Sequence, residues 1–536
     1  MKSQRMRIRH LIRNGLFLIF SGLLLSASRA AVIIPQNFDL QRETLRFRGF
    51  ETSFLPKLDP AKGEMVFVGQ QIFDGLVRLD DSLNVIPDLA EYWYISEGGR
   101  TYTFNLRKGV RFHNGRFLTA EDVKFSLERL LRKESLSPYS QFFVDKVVGA
   151  EDFVQGKAAG VSGFRILDPS IFEVEWKYPY VSALSLLSMS FCRILPKDLV
   201  EKQGQDFFFH PIGTGPFVFD VWMRSPRLDI VGVRLIRNSF YHGRKPLLAA
   251  VEYSPHFTSD NFAERVLDIM PYSVNQARLG CQVVEGGALN VSYLSMSCAN
   301  APFDRPRVRR AMALVVDREK IVEALASDSL SLRVSHNYIP AKLPGFFPSI
   351  NPENPNPERA RQILEEEGYF QAKEFPEILL FIPVSVKMTH APFVRELTRQ
   401  FEAMGVSLNT KNYRSLTELK DVRQPFFVFL AWGMNYPDPE NVIQPLFAGS
   451  SALNRMIMKY QNPDFERLLE AAGFEAGWTK RLDFFREIER ILRRDVPAIP
   501  LFSFEQRMAV QPFIRGLRIP ALGALYIDLR EVAFSR

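Results

Sequence analysis

The chain is poor in the residues that build reactive or metal centres. It has 536 residues but only three cysteines and seven histidines, one of which (His10) lies near the start. Cys192, Cys281 and Cys298 form no CxxC pair, and no cysteine or histidine stands at metal-ligand spacing, so no metal site is expected. GxSxG, HExxH and Cys/His nucleophile patterns are also missing, which removes the usual hydrolase signatures. Paired carboxylates stay uninformative, because sixty acidic residues make chance pairs inevitable. No low-complexity tract occurs, and 46% hydrophobic residues are enough to fill cores. Past the N-terminus no run of eighteen apolar residues occurs, so the mature chain is expected to be soluble.

What is present begins with an export leader over residues 1–30. Lys2, Arg5, Arg7, Arg9 and Arg13 precede the apolar run Leu16–Leu25, and Ser28-Arg29-Ala30 places small residues at −3 and −1 for cleavage before Ala31. The run is too short for a membrane span, which needs about 20 residues. No cysteine follows it and no twin-arginine pair precedes it. A soluble, untethered chain exported unfolded suits the periplasm. The leader holds six basic and no acidic residues, so without it the net charge falls from +8 to +2. That near-neutral balance gives no case for nucleic-acid binding. In an oxidising compartment Cys281 and Cys298 either close a short loop, with Cys192 free, or all three are isolated small apolar residues.

Such a length implies two or three domains. Between Arg78 and Glu175 the text is strand-like, with turns at Asp80-Asp81 and Gly98-Gly99 and alternation at Tyr102, Phe104 and Leu106. Thr119 opens a helix with Asp122 at N3 of a capping-box pattern and an apolar face of Val123, Leu127, Leu130 and Leu131. Gly213-Thr214-Gly215-Pro216-Phe217 lacks the Lys-Ser/Thr ending of a phosphate loop and reads as a turn entering a strand. Pro306 starts a helix whose arginines read as a solvated, salt-bridged face. Beyond residue 356 helices and strands alternate: a helix from Asn356-Pro357 to Gly368, a strand at Ile378–Phe381, a helix with Phe393, Leu397, Phe401 and Met404 on one face, then a strand from Val406. Helices opening at Asn462-Pro463 and carrying Leu482, Ile488, Ile491 and Leu492 follow. No internal repeat is visible.

The landmarks Phe73-Asp74-Gly75-Leu76, Pro87-Asp88-Leu89-Ala90, Thr103–Arg107, Phe112-His113-Asn114-Gly115 and Thr119–Val123 stand in fixed order between Ile72 and Leu131. With Gly213–Phe217, the segment from Leu235 to Gly243, Pro302–Met312 and Trp432–Pro439, they resemble the family 5 extracellular solute-binding proteins, the peptide/nickel-type receptors of bacterial ABC importers. The resemblance covers about Leu58 to Gly516. It implies an α/β, type II-like periplasmic binding fold of the cluster C kind, with two α/β lobes, a hinge and an extra domain inserted in lobe I. Lobe I would comprise 31–57, 178–290 and 503–536, the inserted domain 58–177 and lobe II 291–502. Two strands near 290 and 503 would cross between the lobes as the hinge.

The resemblance also implies a ligand site. Trp432, Gly433, Met434, Asn435 and Tyr436 follow the apolar strand Phe426–Leu430, at the strand end where open α/β sheets present ligands. Tyr293 near the hinge, and Glu64 and Met65 at the lobe I edge, are the other implied lining positions. Peptide-binding relatives carry an aspartate, pairing with the ligand's α-ammonium, where this chain has Asn435. A charge-assisted hydrogen bond contributes about 1.5–3 kcal/mol against about 0.5–1.5 for a neutral one. Its loss weakens a free-amine ligand by roughly five- to thirtyfold, unless another group compensates. Asp438 either turns into the cleft to do so or is a turn residue beside Pro439.

Three readings follow. A transport receptor would capture short peptides by lobe closure and deliver them to inner-membrane ABC permease subunits with a cytoplasmic ATPase, as a monomer without cofactors. The same fold would otherwise bind a metal chelate, haem, glutathione, an oligosaccharide or an opine. An enzyme is the reading that the missing nucleophile motifs disfavour.

Overall fold

The computed structural model describes residues 43–50, 54–277, 279–287, 289–326, 330–343, 346–348, 354–370, 374–384 and 391–535. The leader 1–30 and positions 31–42 lie outside the described residues.

One sheet of twelve strands runs through both lobes. On the lobe II side the strands are Leu408–Tyr413, Ile378–Pro383, Phe426–Gly433 and Asn290–Met296. The lobe I side holds Ile269–Pro271, Thr44–Phe47, Ala250–Tyr253, Ile230–Arg237 and Phe217–Arg224. Strand Ala498–Val510 joins the two. Its first half pairs with Asn290–Met296 and its second half with Gln282–Gly286 and Ile269–Pro271. Strand Leu330–Val334 also pairs with it, across Phe502 to Gln506. A single 13-residue strand is thus the seam between lobes, and every residue along it but Glu505's neighbours Gln506 and Arg507 is buried.

Alternating wiring after residue 356 is confirmed. Helix Pro357–Glu366 is capped by Asn356, whose side chain accepts from the Arg359 amide, and the chain turns at Gly368 with φ 90°. Strands Ile378–Pro383 and Leu408–Tyr413 are parallel and joined through helix Ala391–Glu402, which buries Phe393, Leu397 and Phe401. The arginines after Pro306 divide: Arg305 and Arg307 pair with Glu367 and Glu366, while Arg309 is buried and donates to the carbonyls of Phe303 and Asp495. The expectation of a solvated, salt-bridged face is corrected at Arg309, because that position lies on the helix's packed side.

A separate four-stranded sheet holds Ala90–Ile95, Thr101–Leu106, Ile171–Glu175 and Phe164–Asp168. Helix Ala120–Leu131 covers it, with the Asp122 carboxylate accepting from the Thr119 amide at 3.0 Å. Gly213 and Gly215 sit against Ile72 so closely that a Cβ at either would meet its carbonyl group within 2.6 Å. That packing, not phosphate binding, accounts for the two glycines. All three cysteines are free, so the Cys281–Cys298 bond is not formed. Cys281 packs in a lobe I cluster and Cys298 in a lobe II cluster.

Candidate functional site

Strand Phe426–Gly433 pairs with Asn290–Met296 up to Gly433 opposite Asn290, and then the chain leaves the sheet. Loop 434–439 follows, leading into helix Glu440–Phe447. Asn441 holds this loop. Its carbonyl accepts from the Trp432 indole at 2.9 Å, and its side-chain oxygen accepts from the Asn435 amide at 2.7 Å. The Met434 amide bonds to the Leu289 carbonyl at 3.0 Å. Trp432, Met434 and Asn435 are half-buried and Gly433 is exposed. The Asn435 side chain makes no hydrogen bond among the described residues.

The rest of the motif does something else. Tyr436 is buried in the apolar cluster of the four-stranded sheet, edge-on to Phe142 with ring centroids 5.7 Å apart. Burial, with the Glu440 charge adding to it, pushes its phenol well above the ordinary value. Asp438 is 1% exposed and meets Arg481 through both carboxylate oxygens, at 2.8 and 2.9 Å. Ser182 donates to the same carboxylate at 2.7 Å. Glu440 binds Lys146 at 2.7 Å and stands 3.5 Å from Arg481. Burial alone would lower both cations, but Asp438 and Glu440 outweigh it and hold Arg481 and Lys146 above their ordinary values. The loop is therefore clamped by charge to the segment carrying Lys146 and Ser182, and Asp438 has no carboxylate oxygen to spare.

Tyr293 and Met65 are buried in apolar clusters. Tyr293 is fully buried, with its hydroxyl donating to the Tyr338 carbonyl at 2.5 Å, because its strand position points into the lobe II core. Met65 packs into the lobe I core at a left-handed φ of 46°. Glu64 differs: it is half-buried, and its Oε2 is shielded from solvent without a hydrogen-bond partner. Burial and the nearby Asp59 charge raise its carboxyl above the ordinary value. The structure thus brings Trp432 through Asn435 together on one partly open loop and assigns Tyr436, Asp438, Tyr293 and Met65 to packing.

Sequence reasoning missed Arg481, Lys146 and Ser182. Arg481 had a signal. In helix Trp478–Asp495 the buried stripe is Arg481, Phe485, Ile488 and Leu492, at steps of four, three and four residues. A cation heading such a stripe signals buried acceptors, here the Asp438 carboxylate. The expected face of Leu482, Ile488, Ile491 and Leu492 holds at Ile488 and Leu492, while Leu482 and Ile491 are half-buried.

Comparison with known proteins agrees with this architecture. Residues 84–454 match the model of the bacterial extracellular solute-binding proteins, family 5 middle region. The dipeptide-binding protein of Escherichia coli is 27% identical over 95% of this chain and 98% of its own length. Heme-binding protein A of Haemophilus influenzae is 25% identical, covering 83% of this chain and 84% of its own. Among solved structures, HbpA2 from Haemophilus parasuis superposes with a TM-score of 0.78 at 21% identity, over 92% of this chain and all of that one. With the match spanning well over half its length, this chain belongs to the family 5 bacterial extracellular solute-binding proteins.

Proposed function

We propose that the chain is the receptor of an ABC importer that captures short peptides between its lobes and hands them to a membrane permease. The observation that carries this reading is full-length likeness to a dipeptide-binding protein, together with a partly open loop, Trp432 to Asn435, at the end of a lobe II strand. Capture is lobe closure about strand Ala498–Val510, with no bond made or broken. A peptide backbone is held as an added strand, so side-chain identity matters little.

The ligand's N-terminus is where this receptor departs from its relatives. Asn435 supplies a neutral amide, and the two carboxylates beside it are taken by Arg481 and Lys146. An α-ammonium therefore earns no charge-assisted bond from this loop, and peptides with blocked N-termini bind as well as free ones. Calorimetry with matched free and acetylated peptides of two to six residues tests this. Preference for the free amine above fivefold would refute the assignment to Asn435.

A second reading, a non-peptide ligand, draws on the same asparagine and on the haem-binding relative. In either case the protein works as a periplasmic monomer after loss of residues 1–30, without cofactor or catalysis. No helix of the described residues is long and apolar enough to cross a membrane.

A further inference from the structure

Away from the loop, three segments meet around a cavity of about 550 Å3 whose lining comes from outside 291–502. Asp74 follows helix Val66–Ile72, and Asp88 follows strand Val85–Pro87. His242 lies in the connection between strands Ile230–Arg237 and Ala250–Tyr253. One donor atom from each lies within 4.8 Å of the other two.

Asp88 and His242 are short of partners. Asp88 is 5% exposed; its Oδ2 accepts from the Gly75 amide at 3.2 Å, and its Oδ1 has no hydrogen-bond partner among the described residues. The His242 ring packs against Tyr241, yet neither ring nitrogen makes a hydrogen bond among the described residues. Its Nδ1 stands 3.8 Å from Asp74 Oδ2, beyond hydrogen-bond reach. No arginine or lysine of the described residues comes within ion-pair distance of either aspartate. Arg530 is engaged by Asp528 at 2.9 Å, and Arg193 donates to Gln70 at 2.9 Å. Two buried carboxylates side by side destabilise one another unless a proton or a cation lies between them. A shared proton would satisfy the acids but leaves the imidazole unused.

We propose that Asp74, Asp88 and His242 bind a divalent transition cation of the zinc class through two carboxylate oxygens and one imidazole nitrogen. A neutral imidazole offers one nitrogen lone pair to a metal, and His242 spends neither nitrogen on a hydrogen bond among the described residues. An O/O/N donor set suits zinc or manganese better than magnesium, which retains its waters. Bonds of about 2.0–2.2 Å need the donors to draw in by roughly 1 Å, within reach of side-chain rotation. An orienting shell is in place: Asp74 accepts from Thr214 at 3.0 Å and from Tyr241 at 3.4 Å, and Tyr241 is held by Arg530 at 3.2 Å. The arginine charges weaken the affinity without blocking a donor atom. A bound cation would fasten both ends of hairpin 77–87 to lobe I. Leu79 and Leu83 of that hairpin pack in the cluster that also holds Trp432 and Met434, so the cation would stiffen the wall beside the candidate loop.

The test uses the full chain, stripped with chelator, and Zn2+ alone with no peptide. Calorimetry should give one ion per molecule, with a melting point that rises with Zn2+ concentration. Asp88→Asn and His242→Gln should each weaken binding at least tenfold. Co2+ added to the unmutated chain should give visible absorption bands of a low-coordinate site, which needs no variant to fold. Absence of stoichiometric Zn2+ binding, absence of cobalt bands, or equal affinity in both folded variants would each overturn the proposal.

Discussion

Asn435 is the residue on which ligand choice turns. Its side chain makes no hydrogen bond among the described residues, and its amide is fixed by Asn441, so a change of side chain leaves the loop in place. Asn435→Asp should strengthen free-amine peptides roughly five- to thirtyfold over acetylated ones, as read by calorimetry. The asparagine itself was legible from the motif. The fate of Asp438 was not, because its partner Arg481 stands 43 residues away and only the fold brings them together. Burial also sets a pH dependence at Asp268, whose carboxyl accepts from the Arg46 amide at 2.7 Å and is pushed up to about 7. The folded chain keeps this proton after the unfolded chain has lost it. Its contribution to stability is therefore full below about pH 4 and is lost as pH rises through about 7. Asp268→Asn stays neutral and keeps an acceptor, so its melting point should gain on the unmodified chain between pH 5 and pH 8. A constant difference across that range would show that Asp268 does not titrate there.

Among the elements, loop 434–439 is clamped to the Lys146/Ser182 segment by buried ion pairs. Arg481→Met strands Asp438 as a buried, unpaired charge and should cost about 3–5 kcal/mol in urea unfolding. Lys146→Met leaves Glu440 near Arg481 and should cost less. Equal losses would show that the Asp438 pair is not the principal contact. The helices themselves were legible, since caps such as Asn356, Thr119 and Asn462 and the spacing of Phe393, Leu397 and Phe401 are local signals. Register within a helix was less so. Leu482 is the obvious apolar residue of its turn, yet Arg481 takes the buried position, because a buried ion pair obeys tertiary and not local demands.

At the scale of the molecule, strand Ala498–Val510 belongs to both lobes, and its two halves have different partners. Hinge strands near 290 and 503 were expected from family likeness. A continuous twelve-stranded sheet was not, since pairings such as Ser292 with Phe502 have no trace in either segment alone. Tyr293 shows the same limit: a hinge-proximal aromatic reads as a ligand contact, and only the strand's facing sends it into the core. The central claim is that the lobes close on a short peptide whose N-terminus need not be charged. Its most direct test is a thermal-shift titration of the mature chain, refolded free of carried-over ligand, with paired free and acetylated peptides of two to six residues. Stabilisation that rises with concentration and is equal within each pair is the predicted result. No shift with any peptide would contradict it.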